Sequence, residues 1–300
     1  MRDVDLSEPV AWLDAHLAAA GIVRTGALTV PRVRPWGSVL TAPTGAGPVW
    51  FKIPGPHTRY EVPLYGVLGR VVPAYVPRVL AVDVDRGWLL LAHGGTPLPP
   101  DALVAALPRY AELQRALAPH VDALLGAGVP DMRPHRMPDH FDEALAAVAR
   151  RAESTADRET VARLGALRGT FAQWCARLAG SPVPTSLDHN DLHDRNVLTG
   201  PDGRAVFYDW GDSVVAHPFA SMLVALDRLP STTVPAARAA YLGGFADLAP
   251  PDRLAADLTL ARRVAVPARV LTWERALGPD AGRFARASLE TFAGLLSSPR

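Results

Sequence analysis

The chain has 300 residues, 49% of them apolar, and its 31 basic and 30 acidic residues leave a net charge of +1. That balance gives no excess of positive charge with which to bind nucleic acid or an anionic membrane. The length suits about two domains. No apolar stretch approaches the roughly 20 residues of a membrane span, and the acidic first segment is unlike a secretory signal, so a cytoplasmic protein is expected. The one cysteine, Cys175, excludes an internal disulfide and a multi-cysteine metal site.

The first hundred residues predict a helix followed by short strands. Ser7 has a side chain that can cap the N-terminus of that helix. The apolar residues Leu13 and Leu17 share one face of it. Strand patterns and one further helix follow in chain order at residues 28–33, 38–42, 49–53, 57–71 (the helix), 79–84 and 88–91. A stretch rich in glycine and proline, residues 93–100, then suits a boundary between two lobes.

Beyond residue 100 the apolar pattern is mostly helical, with one interruption at residues 185–210. Asp, Asn and His fill a loop there, and two short apolar runs flank a Gly-Pro-Asp-Gly turn signature at residues 200–203. The sequence therefore predicts a polar loop and a hairpin inside a helical region.

The polar loop reads His-x-Asp-x-x-x-x-Asn, with His189 first, Asp191 next and Asn196 last. Asp209 follows the hairpin, in the sequence Asp-Trp-Gly. Phosphoryl transfer to a hydroxyl needs a carboxylate that orients the acceptor and takes its proton, and it needs oxygen ligands for Mg²⁺. An Asp and an Asn on one loop can supply both functions, and a second acid returned by the hairpin would complete the metal site.

Lysine occurs once in the chain, at Lys52, whereas the other 30 basic residues are arginine. A GC-rich coding sequence would explain the arginines but not why one lysine survives. Lys52 ends the third predicted strand, and Glu61 lies in the first turns of the next predicted helix. An ammonium group is a compact point charge that can contact two phosphates, so a lysine at this position fits a nucleotide site.

These motifs resemble the catalytic loop and metal-binding motif of protein kinases, and they are more similar still to the aminoglycoside phosphotransferase family. That family reads His-Gly-Asp-Leu-His-x-x-Asn-Val-Leu and then Asp-Trp-Gly or similar, and this chain has Asn190 at the usual glycine. The family also pairs a lysine on the third strand with a glutamate on the next helix. No Gly-x-Gly-x-x-Gly precedes Lys52, and residues 35–38 resemble a looser nucleotide-positioning loop.

The resemblance implies an α+β, bilobal protein-kinase-like fold. Residues 1–93 would form a small nucleotide-binding lobe with an antiparallel sheet, and residues 94–300 a larger, mainly helical lobe for catalysis and acceptor binding. It implies ATP and Mg²⁺ in the cleft and a small-molecule hydroxyl acceptor such as an aminoglycoside, another antibiotic, an amino alcohol or a sugar. The implied site residues are Asp191 as catalytic base, Lys52 and Glu61 at the phosphates, Leu91 and His93 at the adenine, and Asn196 and Asp209 at Mg²⁺.

Two other hypotheses stay open. His189 and His193 have the i, i+4 spacing that binds zinc on a helix, which would indicate a metallohydrolase. Asn190 stands where such a motif has glutamate, and the segment has the composition of a loop. A catalytically inactive kinase-like binding module is the other hypothesis, and the retained Asp191 and Lys52 argue against it.

Overall fold

A computed structural model of the chain describes residues 7–34, 37–277 and 284–297. Pro35 and Trp36, which belong to the predicted nucleotide-positioning loop, lie outside the described residues. None of the helices in these ranges combines the length and the apolar character that a membrane crossing requires.

The chain divides into two compact units. The first comprises Met1–Thr96 with Leu198–Gly211, and the second comprises Pro97–Val197 with Asp212–Arg300. The predicted hairpin thus belongs for the most part to the first unit. The lobe ranges 1–93 and 94–300 stay a prediction.

The secondary structure follows the predicted order of an initial helix, then short strands with one further helix, then a mainly helical region interrupted by short strands. The elements in chain order are α1 (Ser7–Ala19), β1 (Thr29–Arg34), β2 (Gly37–Ala42), β3 (Val49–Pro54), α2 (Glu61–Val71), β4 (Val79–Asp83), β5 (Trp88–Leu91), β6 (Thr96–Pro97), α3 (Leu103–Leu117), α4 (Val121–Gly126), α5 (Met137–Arg150), α6 (Thr155–Ala166), α7 (Arg168–Ala179), β7 (Ser186–Asp188), β8 (Val197–Thr199), β9 (Ala205–Phe207), β10 (Val214–Ala216), α8 (Met222–Asp227), α9 (Val234–Gly243), α10 (Pro251–Val264), α11 (Val266–Leu277) and α12 (Ala287–Ala293).

Strand β3 is the central strand of the first unit. Among the described residues, β1 to β5 form an antiparallel sheet in the order β1-β2-β3-β5-β4. Because side chains alternate along a strand, Phe51 faces one side of the sheet and Trp50 and Lys52 face the other. Helix α1 packs on the Phe51 side, where Leu13 and Leu17 join the apolar core. The cation of β3 therefore lies on the face opposite α1.

Helix α2 begins at Glu61, later than the helix that the sequence predicts from residue 57, because Pro56–Thr58 form a separate 3₁₀ turn. Pro63 lies in the first turn of α2, where an absent amide hydrogen costs little. The later start places Glu61 at the N-terminus of the helix, where the helix dipole favours a carboxylate.

In the second unit, the polar loop leaves the short strand β7. This strand pairs antiparallel with β10, with Asp188 opposite Val214. Residues that follow β7 therefore lie beside residues that precede β10, which brings 189–191 next to 212–213. This pairing determines which side chains can meet in the loop.

Helix α3 supports β7 through buried polar contacts. Gln114 Nε2 donates to the Leu187 carbonyl at 2.9 Å, and the Ser186 hydroxyl donates to the Gln114 carbonyl at 2.6 Å. Each of these groups is buried, so each needs a partner to offset its lost hydration. The base of the polar loop is thus tied to a helix of the same unit.

Helix α11 presents two polar side chains to the polar loop. Pro267 is its second residue, a position where proline lacks no needed hydrogen bond and has a suitable φ. Arg269 and Thr272 are three residues apart and share a face of the helix. Both contact the loop that follows β7.

Candidate active site

The chain's only lysine lies between two carboxylates of the first unit. Lys52 Nζ donates to Glu61 Oε1 at 2.6 Å and also forms a short ion pair with Asp209 Oδ1. Glu61 is fully buried at the start of α2, and Lys52 retains 17% of its side-chain exposure. The structure thus brings together these three of the seven predicted site residues.

The charge of Lys52 is maintained by its partners. Burial alone would lower the pKa of Lys52, but the nearby carboxylates of Asp209 and Glu61 outweigh burial and raise the pKa above its ordinary value. The ammonium group is therefore protonated throughout the physiological pH range. A fixed cation of this kind suits the binding of phosphate groups.

Asp209 has a left-handed backbone, with φ of +65°. An L-residue other than glycine reaches this region only when surrounding contacts hold it there. Those contacts are present on both sides, because Trp210 Nε1 donates to the Phe207 carbonyl at 3.1 Å and the Tyr60 hydroxyl donates to the Gly211 carbonyl at 2.6 Å. The turn therefore aims the Asp209 carboxylate at Lys52.

In the second unit, Asp191 is held mainly through one of its carboxylate oxygens. Its Oδ1 accepts a 2.8 Å hydrogen bond from Arg269 Nη2. Its Oδ2 has only longer contacts of 3.4 Å, with His193 Nε2 and Asn196 Nδ2. The Asn196 amide nitrogen also donates to the Asp191 carbonyl at 2.9 Å. The structure thus brings Asp191 and Asn196 together, as the loop motif predicts.

The Asp191 carboxyl is ionised at physiological pH. Burial would raise its pKa, but the polar contact of His193 with the carboxylate and the charge of Arg269 hold the pKa well below its usual range. An ionised carboxylate can accept a hydrogen bond from an alcohol and orient it.

Asn190 shows why the related family has glycine at this position. Its φ is +59°, a left-handed conformation that asparagine tolerates better than most residues. The Asn190 side chain adds contacts that glycine cannot make, since Nδ2 donates to the Asp212 carbonyl at 3.1 Å and to Thr272 Oγ1 at 2.9 Å. The substitution thus preserves the loop backbone and ties it to α11.

A buried acid lies beneath the loop. Asp188 Oδ1 accepts hydrogen bonds from Ser221 Oγ at 2.6 Å and from the Asn190 amide at 2.7 Å. Burial raises the pKa of Asp188 to about 6, although the hydrogen bond from Ser221 opposes that rise. The Tyr110 hydroxyl extends the network to the His189 amide, at 3.1 Å.

Arg269 is a residue that the sequence analysis did not single out. Its guanidinium donates to Asp191 Oδ1 at 2.8 Å, to Asp212 Oδ2 at 2.9 Å and to the Asn190 carbonyl at 3.0 Å. No motif marks it, since it is one of 30 arginines and lies on a helix far along the chain from the loop. Only the packing of α11 against the loop reveals it.

The two residues predicted at the adenine lie in the first unit. Leu91 ends β5 opposite Trp50. His93 lies against the turn between β2 and β3, where a Cβ built on Gly47 would be 2.9 Å from the His93 ring. Trp50 shares the sheet face of Lys52 and is 36% exposed, which makes it a further candidate for contact with a ligand.

The histidine pair does not have the geometry of a helical zinc site. Residues 189–193 form an irregular loop, so the i, i+4 spacing of His189 and His193 does not place both rings on one helix face. Across the described ranges, no group of three or more His, Cys, Asp and Glu side chains is arranged to hold a metal ion. This geometry disfavours the metallohydrolase alternative.

Comparisons with known proteins agree with the site motifs. The sequence model of the APH phosphotransferase enzyme family matches residues 46–257. A search of curated protein sequences found no match.

Solved structures show the same fold. A macrolide 2'-phosphotransferase, MphH from Brachybacterium faecium, superposes with a TM-score of 0.58 at 19% identity, covering 97% of this chain and 99% of its own. Choline kinase LicA from Streptococcus pneumoniae superposes with a TM-score of 0.65 at 13% identity, covering 97% of this chain and 100% of its own. The GDP and kanamycin complex of APH(2")-IIia superposes with a TM-score of 0.59 at 16% identity, covering 96% of this chain and 98% of its own. The predicted α+β kinase-like fold, with a small antiparallel sheet and a larger helical part, is confirmed.

Proposed function

Because this chain belongs to the APH phosphotransferase enzyme family, we propose that it transfers the γ-phosphoryl group of ATP, with Mg²⁺, to a hydroxyl group of a small molecule. Family membership makes the chain a small-molecule kinase. The donor, the metal ion, the acceptor and the residue roles that follow belong to the proposal.

The observation that carries the proposal is the position of the chain's only lysine. Lys52 is held by Glu61 and Asp209, although the residues opposite it on the two adjacent strands are apolar. A charge kept in place by two buried or half-buried acids is typical of a binding site, because a purely structural core position would be served as well by an apolar residue. Lys52, braced by Glu61, would contact the phosphates of the nucleotide.

Trp50 and Leu91 would contact the nucleobase. They lie opposite each other on adjacent strands, and Trp50 stands two residues before Lys52 on the same face of the sheet. An exposed indole two residues from a phosphate-binding cation, on the same sheet face, can stack on a purine ring. His93, which follows β5, would lie beside this surface.

Asn196 and Asp209 have the chemistry of magnesium ligands. The Asn196 amide nitrogen is engaged by the Asp191 carbonyl at 2.9 Å, so its amide oxygen is the atom that would meet a cation. Asp209 supplies a carboxylate, and Mg²⁺ prefers such oxygen ligands. The ion would neutralise charge on the transferred phosphoryl group.

Asp191 would act on the acceptor. Its ionised carboxylate can accept a hydrogen bond from the acceptor hydroxyl and take the proton as the phosphoryl group transfers. Catalysis then rests on positioning and charge neutralisation, with no covalent enzyme intermediate. The relatives' names indicate macrolides, kanamycin and choline as acceptor classes to be tested.

The first experiment measures ADP or GDP release from ATP and GTP, with and without Mg²⁺, in the presence of erythromycin, kanamycin, choline or ethanolamine. We expect magnesium-dependent turnover with at least one of these acceptors. Asp191→Ala should abolish turnover while nucleotide still raises the unfolding temperature. Asp202→Asn, an exposed acid in the hairpin turn, is the matched control and should retain full turnover.

Two results would contradict the proposal. Wild-type protein that binds no nucleotide by thermal shift lacks the proposed donor site. Wild-type protein that binds nucleotide with Mg²⁺ but releases no product with any acceptor, or with water, would instead fit an inactive binding module.

A further inference from the structure

Arg269 connects the catalytic carboxylate to a helix that lies far away in the sequence. From α11 it reaches the Asp191 and Asp212 carboxylates and the Asn190 carbonyl, at 2.8, 2.9 and 3.0 Å. All four residues belong to the second unit. One guanidinium group therefore links the segment that follows β7 to the segment that precedes β10, at one end of this strand pair.

The guanidinium has little freedom to move. Arg269 is 9% exposed, and its charged group lies 5.1 Å from the ring centroid of Trp273 on the same helix. A planar group that lies over an indole and donates hydrogen bonds from both of its terminal nitrogens is fixed in orientation as well as in position. It can therefore fix the orientation of the carboxylate that it binds.

The two carboxylate oxygens of Asp191 are held unequally. Oδ1 receives the direct 2.8 Å bond, whereas Oδ2 has only contacts of 3.4 Å with His193 and Asn196. A hydrogen bond at 3.4 Å is weak, so Oδ2 retains most of its capacity to accept another hydrogen bond. The asymmetry selects Oδ2 as the oxygen that an acceptor hydroxyl would meet.

A second contact supports the same orientation. Thr272, one turn after Arg269 on α11, accepts a 2.9 Å hydrogen bond from the side-chain amide Nδ2 of Asn190 and so holds the residue that precedes Asp191. The backbone and the carboxylate of the loop are thus held by the same helix face. A displacement of α11 would shift both together.

We propose that Arg269 is a positioning residue for phosphoryl transfer, which holds Asp191 by Oδ1 so that Oδ2 receives the proton of the acceptor hydroxyl. This inference rests on the proposed function. In the step, the acceptor oxygen forms a bond to the γ-phosphorus and the bond from that phosphorus to the β–γ bridging oxygen breaks. The electron pair leaves with ADP, and the hydroxyl proton moves to Asp191 Oδ2.

Lysine cannot replace Arg269 in this role. An ammonium group carries the same charge but lacks the planar fork that binds two carboxylates and a carbonyl at once. Arg269→Lys should therefore lower kcat while the charge of the site stays the same. A purely structural arginine would change stability and leave kcat of the folded protein alone.

The test compares Arg269→Lys and Arg269→Ala with Arg275→Ala, an arginine of the same helix that is not a partner of Asp191. Turnover is measured with kanamycin or choline, whichever the wild type accepts. If it accepts neither, the rate of ATP hydrolysis, with water as the acceptor, is measured instead. We expect kcat to fall about 100-fold in both Arg269 variants, since a misplacement near 1 Å has that effect. Nucleotide affinity and acceptor KM should stay within about threefold, because Arg269 contacts Asp191 rather than ligand.

Chemical rescue separates positioning from folding. Guanidinium ions at millimolar concentration should raise the kcat of Arg269→Ala about tenfold or more, since they can occupy the place of the missing Arg269 guanidinium group and donate to Asp191. They should not restore Asp191→Ala, and they should not change Arg275→Ala. If Arg269→Ala fails to fold, Arg269→Lys alone decides the test through its kcat.

Two outcomes would overturn the inference. One is a wild-type kcat in folded Arg269→Lys. The other is a fall in the kcat of Arg269→Ala that guanidinium does not reverse and that is accompanied by loss of nucleotide binding. A wild-type protein that shows no turnover with any acceptor or with water would be different, because it would refute the proposed function itself.

Discussion

Gly211 lies so close to Glu61 that a Cβ at this glycine would be 3.2 Å from Glu61 Oε2. The glycine of the Asp-Trp-Gly motif thus makes a close approach to Glu61, and its φ is not in the left-handed region. Because Glu61 also bonds Lys52, a larger residue at position 211 would displace a carboxylate that holds the cation.

Gly211→Ala should weaken nucleotide binding. The added methyl group would displace the Glu61 carboxylate from its position beside Lys52, so we expect the KM for ATP to rise about tenfold, which corresponds to about 1.4 kcal/mol. Steady-state kinetics at varied ATP concentration measures this change. Gly45→Ala, where a Cβ would meet nothing within 4 Å, is the control and should leave the KM unchanged. An unchanged KM in Gly211→Ala would show that Glu61 can move without effect.

The loop residue Asn190 allows backbone strain to be measured separately from side-chain hydrogen bonds. Asn190→Gly and Asn190→Ala both lose the bonds to Asp212 and Thr272. Only alanine also carries the cost of a left-handed backbone, so it should be less stable than the glycine variant by about 1 to 2 kcal/mol. Urea unfolding at pH 7 gives both free energies.

Thr272→Val serves as the control for the Asn190 variants, because it removes one of the two hydrogen bonds and leaves the backbone of residue 190 alone. It should destabilise the protein by about 1 kcal/mol. Equal stability of the alanine and glycine variants would mean that the loop relaxes away from its left-handed conformation.

The buried carboxyl of Asp188 should make stability depend on pH. Burial raises its pKa from 3.8 to about 6 in the folded protein, so the folded state holds this proton more tightly than the unfolded chain does. The resulting stability is present below the unfolded pKa and is lost as the pH rises through about 6, an effect of about 2 to 3 kcal/mol. Asp188→Asn should lack this loss and gain stability relative to wild type at pH 8.

Unfolding free energies at several pH values between 4 and 8 test this linkage. The exposed acid variant Asp202→Asn is the control, and its curve should run parallel to that of the wild type. A wild-type curve that also runs parallel to that of Asp188→Asn would show that Asp188 ionises normally in the folded protein.

Trp50 should contribute directly to nucleotide affinity. Stacking of a base on an aromatic side chain is worth about 1 to 3 kcal/mol, so Trp50→Ala should weaken ATP binding about tenfold or more. Trp50→Phe keeps an aromatic face and should recover most of the affinity. Isothermal titration with ATP and Mg²⁺ measures both variants.

Val84→Ala, another exposed apolar residue of the first unit, is the matched control for Trp50. It should bind ATP as the wild type does. If Trp50→Ala also binds normally, the exposed indole has no contact with the nucleobase.

Several features of the fold follow from local sequence patterns. The alternation of buried and exposed residues along β3 separates Phe51 from Trp50 and Lys52, and a period of two is visible without coordinates. The pairing of Lys52 with Glu61 was expected from the family resemblance, which pairs a lysine on the third strand with a glutamate on the next helix. Local alternation was enough to separate the two faces of β3, whereas the ion pair needed the family motif.

Contacts between distant segments could not be predicted in this way. Arg269 meets Asp191 across 78 residues, and nothing in the composition of α11 distinguishes it from the other arginines. The left-handed conformation of Asp209 was also unforeseen, because aspartate does not signal a positive φ as glycine does. Both features arise from tertiary packing that overrides local preference.

The single lysine has a consequence for chemical labelling. The sequence contains no other side-chain amine, and this one is protonated and held by two carboxylates. Acylating reagents require the neutral amine, so Lys52 should react only in molecules where these ion pairs have opened. The rate of lysine acylation in the intact protein would therefore measure how often the Lys52–Glu61 pair opens, with no background from lysines elsewhere.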